Sequence, residues 1–128
     1  MRINITSVLV DDQAKALKFY TEALGFQKKM DIPLGEYRWL TVTSPEGAEG
    51  VELVLEPLGY PFARTYQKAL YDAGIPFTVF ATNDIHGEIR RLRERGVVFR
   101  GEPENMGPVI GVMFEDTCGN LIQLVQPV

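Results

Sequence analysis

At 128 residues with 45% apolar side chains, the chain has the size of one ordinary domain and can bury a single core. Its net charge of −4 excludes a basic nucleic-acid binder: the one basic cluster, Arg90, Arg91, Arg93 and Arg95, is interspersed with Glu88 and Glu94 as on a solvated helix face. No run reaches the roughly 18 apolar residues that cross a bilayer, one cysteine excludes an internal disulfide, and one histidine excludes the multi-His and Cys-His metal motifs.

Met1 to Asn4 leads straight into a strand and not into a signal-peptide core, so a cytoplasmic protein is expected, with no membrane and no nucleic-acid partner. Arg2 to Val10 is β-branched and reads as that strand, with Ile5, Ser7 and Leu9 on one face and Thr6, Val8 and Val10 on the other. Asp12 offers an N-cap to a helix over Gln13 to Leu24, and Gly25 follows as a residue able to take positive φ. Ala16, Leu17, Tyr20, Ala23 and Leu24 form its apolar stripe, so the helix should lie on a sheet. Phe26 to Asp31 reads as a strand, Ile32 to Gly35 as a turn, and Glu36 to Thr43 as a strand carrying the only tryptophan, Trp39. After the loop Ser44 to Gly50, Val51 to Glu56 completes a β-α-β-β-β unit. Pro61 to Asp72 reads as a connecting helix.

The order then begins again. Phe77 to Thr82 reads as a strand, Asn83 or Asp84 caps a helix with Ile85, Ile89 and Leu92 inward, and Gly96 ends it as Gly25 ended the first. His86 falls in the first turn of that helix, where an imidazole is solvated. Val97 to Phe99, Val109 to Glu115 and Leu121 to Gln126 supply three more strands, the last two joined by a tight hairpin at Asp116 to Asn120. Cys118, third in that turn, could be an exposed thiol, yet no second cysteine and no base stand near it in sequence.

Ile5 and Phe77, like Asp12 and Asp84, stand 72 residues apart, while Val51 to Pro57 echoes Ile122 to Pro127 with Glu52 over Gln123 at a spacing of 71. The pattern is an internal duplication. It divides the single domain 1–128 into module 1 (1–57), a connector (58–74) and module 2 (75–128). Each module can cover one sheet face with its helix, and the other face must meet the second module or enclose a cavity, the default ligand site. In the last strand Leu121, Gln123 and Val125 share a face, so Gln123 is either a satisfied core group or a group offered to that cavity.

Val10, Asp11 and Asp12 followed by Lys18-Phe19-Tyr20 and Leu24-Gly25-Phe26, together with Phe114-Glu115-Asp116, Gly119-Asn120 and Ile122-Gln123-Leu124, resemble the vicinal-oxygen-chelate superfamily over nearly the whole chain. This is the group of glyoxalases, bleomycin resistance proteins and extradiol dioxygenases. Thr117 departs from it, since many members have proline there. The resemblance implies an α+β fold of two tandem β-α-β-β-β modules forming a cup-shaped mixed sheet with helices outside. It also implies, in metal-dependent members, one ligand from the first and one from the last strand of each module. Carried over, these positions are Ile5, Glu52, Phe77 and Gln123. Ile and Phe supply no ligand atom, so half of such a cage is lost.

The expectation is therefore a metal-independent protein binding a small organic molecule in the cup, with no cofactor, and the sequence names no catalytic residue. Ser7, Trp39, Glu52, Phe77 and Gln123 are the candidate ligand contacts, with Ile5 and Phe77 beside the Glu52 and Gln123 pair. A glyoxalase-like lyase or dioxygenase with a degenerate or substrate-completed divalent metal site is the alternative. An interaction domain whose cup is filled by core packing is the third. A homodimer is expected, from the pairing of cup-forming modules that the resemblance implies and from the amount of sheet edge in so short a chain.

Overall fold

The computed structural model describes all residues, Met1 to Val128. Contacts divide them into two compact units, Met1–Thr65 and Tyr66–Val128. The first unit holds β1 (Ile5–Val10), α1 (Gln13–Lys18), a π-helical turn (Phe19–Ala23), β2 (Gln27–Leu34), β3 (Tyr37–Thr43) and β4 (Glu52–Pro57). Its sheet runs β1-β4-β3-β2, parallel between β1 and β4 and antiparallel elsewhere. Period-2 alternation sends Val8, Val10, Leu40, Val42 and Leu55 to one face, where they are fully buried together with Ala16 and Tyr20 of the helical segment. The ladder between β3 and β4 pairs only Thr41 with Val54 and Val42 with Leu53. Beyond it the buried Gln13 side chain takes over: Nε2 donates to Arg38 O at 2.7 Å and Leu55 O at 2.9 Å, and Oε1 accepts from Arg38 N at 3.0 Å. One amide thus satisfies three backbone groups that the sheet leaves open.

Helix α2 (Pro61–Asp72) starts in the first unit and ends in the second, which adds β5 (Thr78–Ala81), α3 (Ile85–Glu94), β6 (Glu104–Asn105), β7 (Val109–Glu115) and β8 (Leu121–Pro127). This sheet runs β5-β8-β7-β6 with β5 and β8 parallel, repeating the topology of the first. Ile85, Ile89 and Leu92 are buried with Val112, Phe114, Ile122 and Leu124. The fold is therefore α+β, built from two separate four-stranded mixed sheets with three α-helices. None of the helices is long and apolar enough to cross a membrane.

Several elements differ from the sequence expectation. The first helix is regular only to Lys18; from Phe19 it widens, with Leu24 N bonding Phe19 O at 3.2 Å while the Thr21 hydroxyl donates to Leu17 O. The turn expected at Ile32 to Gly35 shrinks to Gly35 and Glu36, because β2 is an edge strand on which Pro33 needs no N–H partner. Val97 to Phe99 is not a strand but a segment fastened to β7 by one bridge from Phe99 to Phe114, and the paired edge is the two-residue β6 beyond Pro103. Cys118 is fully buried, not exposed, since its carbonyl is held by Gln67 of α2 at 3.1 Å.

Both caps form as read: Asp12 accepts from Lys15 N and Asp84 from Gly87 N, each at 3.0 Å. Asp12→Ala is expected to cost about 1 kcal/mol in urea denaturation; an unchanged midpoint would show that the cap contributes nothing. On β2, Asp31 is held below the usual carboxylate range by its hydrogen bonds to Arg38, with Lys28 adding a smaller attraction. A carboxyl lowered in the fold stabilises it above its unfolded pKa and loses that contribution as pH falls through the folded value. Stability measured against pH should therefore decline less steeply on the acid side in Asp31→Asn than in the parent protein, and parallel curves would refute the linkage.

Candidate functional site

The register fixes which side chains share the face of the first sheet opposite α1. Ile5 pairs with Glu52 and Ser7 with Val54 across β1 and β4; Thr41 pairs with Val54, and Met30 and Ile32 of β2 pair with Thr41 and Trp39. By strand parity Ser7, Trp39 and Glu52 lie on this one face; the sequence left the register of Trp39 open, and the pairing of β3 with β4 and β2 fixes it. Ile5, Ile32, Leu34 and Tyr37 on the same face remain exposed, an apolar and aromatic surface interrupted by few polar groups.

Glu52 is half-buried and oriented. The Thr41 hydroxyl donates to its Oε1 at 2.7 Å and accepts from Met30 N at 3.1 Å. Thr41 is fully buried and was missed in the sequence, although its alternation with Trp39 placed it on the same face. Towards the start of β4 the face opens into a cleft of about 820 Å³, lined among others by Asn4, Gln27, Lys29, Thr43, Glu49 and Glu52.

Phe77 and Gln123 belong to the second unit. Gln123 pairs with Val79 of β5 and Met113 of β7, so its neighbour along the parallel pair is Val79 and not Phe77. Phe77 lies two residues earlier, its N–H on Leu121 O at 2.8 Å and its ring edge-on to Tyr66 at 5.9 Å. The spacing of 72 in the first strands and 71 in the last do not describe one register, whereas Ile5 does stand beside Glu52. The half-buried Gln123 amide lies over Gly111: a Cβ there would sit 2.7 Å from Nε2, so glycine is what leaves room for it. No group of the chain hydrogen-bonds that amide, which is free to meet a ligand.

No three His, Cys, Asp or Glu side chains gather anywhere in the chain, and the strand partners of Glu52 and Gln123 are Ile5 and Val79.

Residues 2–124 match the family described as the Glyoxalase/Bleomycin resistance protein/Dioxygenase superfamily. The chain is 52% identical over 126 residues to the uncharacterized protein YurT of Bacillus subtilis, covering 98% of this chain and 99% of that one. It is similar to the crystal structure of UcmS2, with a TM-score of 0.82 at 32% identity over 98% of this chain and 97% of the other. It is also similar to that of TnmS3, an antibiotic binding protein from Streptomyces sp. CB03234, with a TM-score of 0.78 at 35% identity over 100% and 97%.

Proposed function

The chain belongs to the glyoxalase, bleomycin resistance protein and dioxygenase superfamily, and from that premise we propose that it binds a small organic molecule without a metal. The observation that carries the proposal is the pairing of Ile5 with Glu52 at positions where the family's metal-dependent members place ligands. An apolar side chain there turns a chelating pair into a surface with one carboxylate. Trp39, Ser7 and Glu52 on the first sheet and Phe77 and Gln123 on the second are the proposed contacts, combining aromatic faces with a few polar groups. The similarity to TnmS3, described as antibiotic binding, supports this ligand class. No cofactor takes part, and the proposed location is the cytoplasm.

A thermal-shift screen of antibiotics and metabolites, run with and without chelator, tests the reading. A ligand at 100 times its Kd should add about 2.7 kcal/mol of stability, equally in both conditions. One tightly held transition metal per chain, found by elemental analysis, would overturn it in favour of a lyase or dioxygenase. The proposal includes a homodimer, because β2, an eight-residue edge strand, leaves its outer side without a strand partner. Light scattering should then give twice the 14.4 kDa chain mass; the single mass at micromolar concentration would exclude it.

A further inference from the structure

The ladder between β2 and β3 slips at one point: Lys28 pairs with Val42 and Met30 with Thr41, so Lys29 is an extra residue. Such a bulge disrupts the local ladder and re-aims side chains. Here the Thr41 hydroxyl takes up the Met30 N–H, and with its lone pair so engaged its own proton goes to Glu52 Oε1. The carboxylate orientation is thus set by a chain of contacts that starts at the bulge and runs through a fully buried threonine. Gln27 and the extra residue Lys29 both line the 820 Å³ cleft beside Glu52.

The cleft is lined by Arg2 and Lys29 as well as by Glu49 and Glu52. The Lys28 ammonium is directed to the other face of the sheet, 4.0 Å from an Asp31 carboxylate that Arg38 holds at 2.7 Å, and is not counted among these charges. A purely cationic or purely anionic ligand would meet two like charges, whereas a molecule bearing both signs matches the lining. We infer that this cleft binds a zwitterionic small molecule, its ammonium group on Glu52 and its acid group on the Arg2 and Lys29 side, with Thr41 as the positioning residue. The inference rests on reading the open face of the first sheet as a ligand surface, and assigns that surface its charged end.

Three probes sharing one ring separate the arms: L-tryptophan, tryptamine and indole-3-acetate, titrated into the isotope-labelled protein by NMR. L-Tryptophan should shift the amide resonances of Asn4, Lys29 and Glu52 and bind about tenfold more tightly than either single-charge analogue. Glu52→Gln should weaken L-tryptophan and tryptamine by about tenfold and leave indole-3-acetate unchanged. Thr41→Val should weaken tryptamine with the Glu52 carboxylate still present, and Thr41→Ser should restore it. Equal binding of the three probes, insensitivity to Glu52→Gln, or no shift at the cleft would each overturn the inference. Shifts confined to the surroundings of Trp39 would remove the cleft proposal while leaving the sheet-face reading intact.

Discussion

Asp116→Ala is expected to lower stability by about 4 kcal/mol, a fall of roughly 15 °C in Tm for a chain of this length. The carboxylate is fully buried in the turn between β7 and β8. Its Oδ1 accepts from Cys118 N at 2.8 Å and Asn120 N at 3.0 Å, and its Oδ2 from Asn120 Nδ2 at 2.7 Å. Asn120 Oδ1 in turn accepts from Gln67 of α2 at 3.1 Å. Truncation leaves two buried backbone donors without their acceptor, at about 1–3 kcal/mol each, and frees the amide that α2 holds. The same bonds support Thr117, a β-branched residue at φ 64°. Proline, common there in the family that the sequence resembles, cannot reach that angle. Asp116→Asn keeps one acceptor and should cost about half as much. Urea denaturation showing a loss below about 1 kcal/mol for the alanine variant would mean the network contributes little.

Trp39→Ala is expected to weaken a ligand found in the screen by about 30-fold, equivalent to about 2 kcal/mol, with little change in the fold. Its indole is half-buried on the open face, so it can offer area to a ligand without anchoring the core. Because Trp39 is the only tryptophan, its emission reports directly on that face. Binding should change the fluorescence of the parent protein, and the alanine variant should lose affinity when followed by calorimetry. A ligand that stabilises the protein yet leaves both the emission and the Trp39→Ala affinity unchanged would place the site elsewhere.

The sequence by itself determined the elements whose causes are local. Leu121 to Gln126 alternates by two and forms β8 as read, and Asp12 and Asp84 cap the helices that follow them, because pleat and capping depend on residues within four positions. The repeated β-α-β-β-β order was legible for the same reason. Parity alone gave the faces of Ser7 and Glu52, while that of Trp39 needed the pairing of β3 with its neighbours. Tertiary structure decided everything that depends on register. The bulge at Lys28 to Met30 arises from how β2 meets β3, and only then do Met30 N, Thr41 and Glu52 form one chain of hydrogen bonds. Val79, and not Phe77, stands beside Gln123 because the parallel pairing slides by two residues, which preserves the face and changes the neighbour. Cys118 is buried because Gln67, 51 residues away in sequence, lies against its turn. Periodicity carries the direction of a side chain, but which group it meets is set by contacts between segments far apart in the chain, and these leave no local pattern to read.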